Sequence, residues 1–292
     1  MTQRGRGLPS SALGDQARTA LIAGFDLASG RFSGTPSAIA ALLFLLDRAR
    51  AGDGEARRVA LAALHRTPDG PLPPREAVSE AAAHTEAVEV APGDGLRKAT
   101  RSALDTALAA LGWSGEAREE DGGETDTHGL MIATLARASL VLDAPGYREA
   151  ASRAGERALD RRVDQRGSLL HLTGERAQPA GLGDYAHLIR GLIELLAATG
   201  ERGWLHESVR LQQEQEEQVA GPRDGLDGDF ISGSGVAALN LIELSRLTGE
   251  RGYRDRAEGV VRAFAADIEK APLAHLGLLR AAQRLDRTRP AP

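Results

Sequence analysis

The chain has 292 residues, a formal net charge of −5 and a pI near 5.9, which gives no support for nucleic-acid binding. It has no cysteine, so disulfides, thiol catalysis and Cys-ligated zinc are excluded. Apolar residues make up 42% but aromatics only 3%, so alanine and leucine must fill the core, which suits closely packed helices.

Residues 1–10 are rich in Gly, Arg, Ser and Pro and read as a disordered N-terminus. Their two arginines, Arg4 and Arg6, precede no apolar core, so this is not a secretory signal. Ser11–Ala28 has helical spacing at Leu13, Ala17, Ala20, Leu21 and Ala28. The segment 29–36 reads as a loop, and Ser37–Arg50 as an apolar helix with Pro36 beside its first turn. Its apolar run Ala38–Leu46 is far too short to span a bilayer. Gly52-Asp53-Gly54 breaks it, and Glu55–His65 returns. After the Pro-rich linker Thr67–Pro74 comes Arg75–His84, read as one short, polar helix, then a loop over Val88–Gly95 and a clear helix over Leu96–Leu111.

Ser114–Glu124 is acidic and Gly-rich and reads as a solvated loop, since a hard cation needs converging oxygens, not merely neighbouring ones. Asp126 or Thr127 can cap the next helix, His128–Leu142. Pro145-Gly146-Tyr147 turns into Arg148–Asp160, and Val163–Gln178 holds a short hairpin around Ser168–Leu172. Two similar units follow. Tyr185–Ala198 leads into Thr199-Gly200-Glu201-Arg202-Gly203-Trp204, and Gly235–Leu247 into Thr248-Gly249-Glu250-Arg251-Gly252-Tyr253. Each is an apolar helix, a short turn, an aromatic and a second helix, so the repeated unit is a helical hairpin. Arg254–Lys270 carries one stripe, Leu273–Leu285 is the last helix, and 288–292 is a tail.

Helices that are apolar around most of their circumference alternate with helices that carry one apolar stripe. The first kind is buried and the second lies at the surface. Such alternation describes two concentric rings. Tyr147 to Trp204 is 57 residues and Trp204 to Tyr253 is 49, so the chain holds about six hairpins. The expected fold is all-α: a single (α/α)6 toroid over residues 11–287, reduced in its second hairpin.

Four segments carry a family resemblance. His128-Gly129-Leu130-Met131-Ile132 resembles a Trp-Asn-Gly-Leu-Met-Ile helix, and Gly181-Leu182-Gly183-Asp184-Tyr185-Ala186 a Leu-Glu-Asp-Tyr-Ala motif. Ser232-Gly233-Ser234-Gly235 resembles Pro-Ser-Gly-Asn before an apolar helix. Gly30-Arg31-Phe32-Ser33-Gly34-Thr35-Pro36 resembles a Gly-Gly-Phe-Gly…Pro-Lys-Phe-Pro loop. In that order they resemble the C-terminal part of the YyaL family, the family of spermatogenesis-associated protein 20. The resemblance implies a six-hairpin glycosidase-like toroid, which in the family follows a thioredoxin-like domain; a shortened form without that domain is expected here. Thr127-His128 stands where the family has Trp-Asn, Ser37 follows Pro36 in place of Lys, and Ser234 replaces the Asn.

Loops 29–36, 119–127, 179–184 and 224–234 each precede an apolar helix, so a funnel at those helix N-termini is the expected pocket. The candidate catalytic residues are Asp126, His128 and Asp184, and the candidate ligand-binding residues are Arg31, His171, Tyr185, Asp229, Ser232 and Ser234. Asp126 with Asp184 is the pair available for glycosidase-like chemistry, and His128 with His171 the pair for epimerase-like chemistry. Capping alone accounts for Asp184 and Ser234, and core packing with a tied hydroxyl accounts for Tyr185.

Because small side chains replace the family's polar motif positions, the leading expectation is a non-catalytic toroid. It would bind a small polar ligand, carbohydrate-like, or a protein partner such as a thioredoxin-like domain supplied in trans. The alternative is a carbohydrate-active enzyme, isomerase/epimerase or glycoside hydrolase-like, acting in the funnel. No metal, cofactor, nucleic acid or membrane contact is expected, and the location expected is cytoplasmic.

Overall fold

The computed structural model describes residues 8–9, 11–65, 70–113, 123–164, 167–219, 224–228 and 231–288. In chain order the elements are α1 (Ser11–Ala23), β1 (Phe25–Asp26), β2 (Arg31–Phe32), α2 (Ala38–Arg50), α3 (Gly54–Ala63), α4 (Pro74–Val90) and α5 (Asp94–Ala110). There follow α6 (Thr125–Val141), α7 (Pro145–Arg161), β3 (Leu170–Leu172), β4 (Gln178–Pro179), α8 (Leu182–Thr199) and α9 (Arg202–Gln218). The last are α10 (Gly233–Thr248), α11 (Arg251–Ala263), α12 (Ala265–Lys270) and α13 (Leu276–Arg287). The chain divides into two compact units, one of residues 67–221 and one of residues 1–66 with 222–292.

In the unit 67–221, α4, α6 and α8 pack side by side as a buried row. Helices α5, α7 and α9 pair with them in turn as a second layer. The sequence explains both layers. Helix α7 buries only Ala151, Ala154, Gly155 and Ala158, one stripe at helical spacing, whereas α6 buries residues nearly all round. The row is tight because of two glycines. A Cβ on Gly129 of α6 would lie 2.5 Å from the backbone of His187 and Leu188, and one on Gly191 of α8 would lie 2.9 Å from the Gly129 carbonyl.

The other unit has the same plan, with α10, α13 and α2 in a row and α11 and α3 paired with α10 and α2. Gly235 and Gly277 allow the close approach of α10 and α13. A buried ion pair, Arg280 to Asp47 at 2.7 Å, joins α13 to α2.

The repeated Thr-Gly-Glu turn is the same device twice. Gly200 (φ 75°) and Gly249 (φ 78°) end α8 and α10 in the left-handed region, where side chains are disfavoured. Thr199 and Thr248 hydroxyls accept the N–H of Glu201 and Glu250, each at 3.1 Å. Buried Trp204 and Tyr253 then seat the following helix.

Three expectations need correction. Arg75–His84 is no short polar helix but part of the 17-residue α4, buried at Ala77, Val78, Ala81, Ala83, Ala87 and Val88. Alanines bury a face without the large side chains that make a face visible in sequence. The first helix stops at Ala23, because Gly24 opens the β1–β2 hairpin, in which Phe25 pairs with Phe32. The Arg254–Lys270 stripe is divided at Phe264 into α11 and α12. The hairpin expected after α7 is present, as β3 paired with β4 and preceded by a Val163–Leu169 bridge.

Candidate active site at the starts of α4, α6 and α8

The parallel row of the unit 67–221 brings three helix starts together. Arg75 follows Pro74, the first residue of α4, and reaches across to the start of α6. Its Nη2 donates to Glu124 and to Asp126 Oδ2, the latter at 2.8 Å. Asp126 Oδ1 also accepts the Thr127 N–H at 2.6 Å and the Thr127 hydroxyl at 3.1 Å.

Asp184 stitches α8 to its neighbours. Its Oδ2 accepts the Gly181 N–H at 2.8 Å, the reciprocal half of a capping box. Its Oδ1 accepts the Asp126 N–H at 3.1 Å and lies 2.9 Å from His171 Nδ1 on β3. Burial pushes the Asp184 carboxyl up, and the hydrogen bonds from His171 and Gly181 pull it back only in part. With Asp184 ionised, its hydrogen bond with His171 is donated by Nδ1–H, which leaves Nε2 as the ring nitrogen on the open side. Nε2 faces Glu124 Oε1 at 3.7 Å. The side chains of His171, Arg75 and Glu124 are 26%, 32% and 42% exposed, whereas Asp184 is 5% exposed, so the first three are what a ligand meets.

Beneath this lies a buried tie. Arg162, just past α7, donates to Thr125 Oγ1 at 2.9 Å, to the Gly123 carbonyl at 3.2 Å and to His128 Nε2 at 3.2 Å. Thr125 in turn donates to the Leu170 carbonyl at 2.6 Å, and the Leu170 N–H donates to the Arg162 carbonyl at 2.8 Å. The guanidinium thus fixes the start of α6 against the strand that carries His171. The His128 ring is buried and edge-on to Trp113 at 5.0 Å. Tyr185 is buried too. Its hydroxyl donates to Glu214 at 2.6 Å, and burial beside that carboxylate pushes the phenol up, so it stays protonated.

Of the residues singled out in the sequence, Asp126, Asp184 and His171 converge here, with His128 and Tyr185 behind them. Arg31, Ser232 and Ser234 belong to the other unit, and Asp229 lies outside the described residues. Ser232, not Ser234, caps α10, accepting the Gly235 N–H at 3.2 Å, while Ser234 is fully buried. Helix α6 starts at Thr125 after Glu124, so neither Asp126 nor Thr127 is its N-cap. Sequence reading missed Arg75, Glu124 and Arg162. Arg75 and Glu124 border helix starts, which is a usable signal, but nothing local marks Arg162. Among the described residues no group of three or more His, Asp or Glu side chains is placed to hold a metal ion, and no helix is long and apolar enough to cross a membrane.

Comparison with known proteins bears on the fold first. The chain is similar to the Lin0763 protein of Listeria innocua, with a TM-score of 0.72 at 13% identity over 97% of this chain and 99% of that one. It is similar to a cellobiose 2-epimerase of Bacillus thermoamylovorans, with a TM-score of 0.67 at 10% identity over 96% of this chain and 100% of that one. It is also similar to a GH76 α-mannanase of Bacteroides thetaiotaomicron, with a TM-score of 0.66 at 9% identity over 94% of each chain. The fold class is therefore the all-α (α/α)6 toroid.

In sequence, the chain is 30% identical to mouse spermatogenesis-associated protein 20 over 125 residues, which is 35% of this chain and 16% of that protein. The human protein is 31% identical over 120 residues, 34% of this chain and 15% of that protein. The match thus spans about a sixth of the length of these curated relatives. No family model matches.

Proposed function

We propose that the chain is a carbohydrate-active enzyme of the sugar isomerase or epimerase kind, with His171 as its acid/base group. One observation carries this reading: Asp184 holds His171 Nδ1 at 2.9 Å, which directs the basic Nε2 toward the solvent-reachable mouth formed with Arg75 and Glu124. A fold likeness to a cellobiose 2-epimerase and to a protein described as a D-mannose isomerase supports the substrate class. In this reading Nε2 takes the proton from C2 of an open-chain sugar. The electron pair moves onto the carbonyl oxygen and gives an enediolate. Return of the carbon proton to C1, with the O2 proton passing to O1, gives the ketose, and return to C2 after rotation about C2–C3 has turned its other face to Nε2 gives the epimer. Asp184 holds the imidazolium that forms, and Arg75 supplies positive charge at the mouth.

The test is exchange. The protein is incubated with a panel of aldoses in deuterated water, and loss of the C2–H signal is followed by NMR. Exchange with at least one sugar is expected, reduced by ~10²–10⁴-fold in His171→Asn with the fold intact. No exchange across the panel refutes the reading. A second reading, ligand binding without turnover, is favoured by the full occupation of both aspartates. Each already accepts three hydrogen bonds. The same occupation disfavours glycoside hydrolysis, which needs one carboxyl free to donate and another free to attack or activate water.

A further inference from the structure

Among the described residues, Glu124 is the acid of the cluster that no backbone group claims. Its Oε2 is held by Arg75 and its Oε1 lies 3.7 Å from His171 Nε2. It sits directly before the first residue of α6 and is the most exposed of the group. Asp126 and Asp184 differ: each accepts backbone N–H groups and is fixed in place. A carboxylate bridging Arg75 and His171 fills the position that a ligand must take to reach Nε2. Turning Glu124 outward without replacement would take one of two carboxylates from Arg75, which keeps its bond to Asp126. A ligand that brings its own anion restores the contact with Arg75.

We propose that Glu124 is an internal stand-in for ligand, and that the site takes a sugar bearing an anionic group, carboxylate or phosphate, which displaces Glu124 from Arg75 and His171. This rests on the reading of His171 as the working base, and it names the substrate class. Arg75 then sets specificity, and Glu124 occupies the approach to the imidazole in the empty site.

Labelling with diethyl pyrocarbonate tests this without a known substrate. The reagent acylates a neutral imidazole nitrogen and releases ethanol and carbon dioxide. At a pH above about 6.5, where a free imidazole is neutral, peptide mass mapping gives the rate at His171 separately from the other histidines. Glu124→Ala and the same-sized Glu124→Gln, both checked for native circular dichroism, should label at His171 several-fold faster than wild type. In Glu124→Ala, D-glucuronate or D-glucose 6-phosphate should slow labelling, D-glucose should not, and Arg75→Ala should abolish the protection. Protection by glucuronate alone assigns a carboxylate ligand, and protection by the phosphate alone a phosphorylated one. Equal labelling of wild type and both variants overturns the proposal. So does protection by glucose as good as by the acids, or none by either acid. Protection by an acid sugar with no deuterium exchange keeps this subsite and removes the isomerase reading. Exchange confined to neutral sugars does the reverse.

Discussion

Replacing Gly129 by alanine tests the packing that sets the site. In an isolated helix the change is favourable by about 1 kcal/mol. Here the new Cβ would stand 2.5 Å from the backbone C of His187 and N of Leu188, while carbon atoms rest ~3.5–4.0 Å apart. The overlap is roughly 1 Å against backbone, which cannot rotate away, so α6 and α8 must move apart. Overpacking of this kind costs ~1–3 kcal/mol, and rigid neighbours place it at the upper end. Net of the helix gain, a loss of ~1–2 kcal/mol is expected, read as a lowering of Tm by about 2–4 °C per kcal/mol. The control is Gly259→Ala on α11, where nothing lies within 4 Å of the new Cβ, and there a gain of ~0.4–1 kcal/mol is expected. Calorimetry on both variants decides. A Gly129→Ala protein as stable as Gly259→Ala would refute the close backbone contact.

Three further outcomes are expected. Asp47 and Arg280 are each about 4% exposed, but Arg50 at 2.7 Å and Arg284 at 3.6 Å also face Asp47, so Arg280→Met should cost less in urea unfolding than the ~3–5 kcal/mol of a stranded buried charge. The Arg18 guanidinium, bonded to Asp53, holds that carboxyl well below the usual range. A depressed folded value stabilises above the unfolded value near ~3.9 and is lost as the pH falls through the folded one. Asp53→Asn, which keeps an N-cap, should therefore melt lower than wild type at neutral pH, with the gap closing in acid. Asp184 has the opposite sign: burial raises its folded value, so its contribution is present in acid and declines as the pH rises through that value. Asp184→Asn should flatten the fall in Tm over that interval.

The helical architecture was legible because its signals are local. The Thr-Gly-Glu turns carry their own explanation in Gly200 and Gly249, and the single stripes of α7 and α11 show the layer they occupy. Helix α4 was misjudged because its buried face is built from alanines, whose small side chains give a weak pattern. At the site, Asp126, Asp184 and His171 were named from helix starts and a hairpin and given pairwise roles, Asp126 with Asp184 and His128 with His171, but the pairing of Asp184 with His171 was not foreseen. Their arrangement depends on Arg75, 51 residues from Asp126, and on Arg162, 34 residues from His128, and no local pattern spans such separations.

That separation bears on the order in which the molecule acquires its parts. A helical hairpin closes contacts between neighbours in the chain, and such contacts form early and fast. The tie at Arg162 joins Gly123, Thr125, His128 and Leu170, and it can close only after α6 and α7 have docked. A refolding chain should therefore regain its helical signal first and the protection of His171 from labelling later.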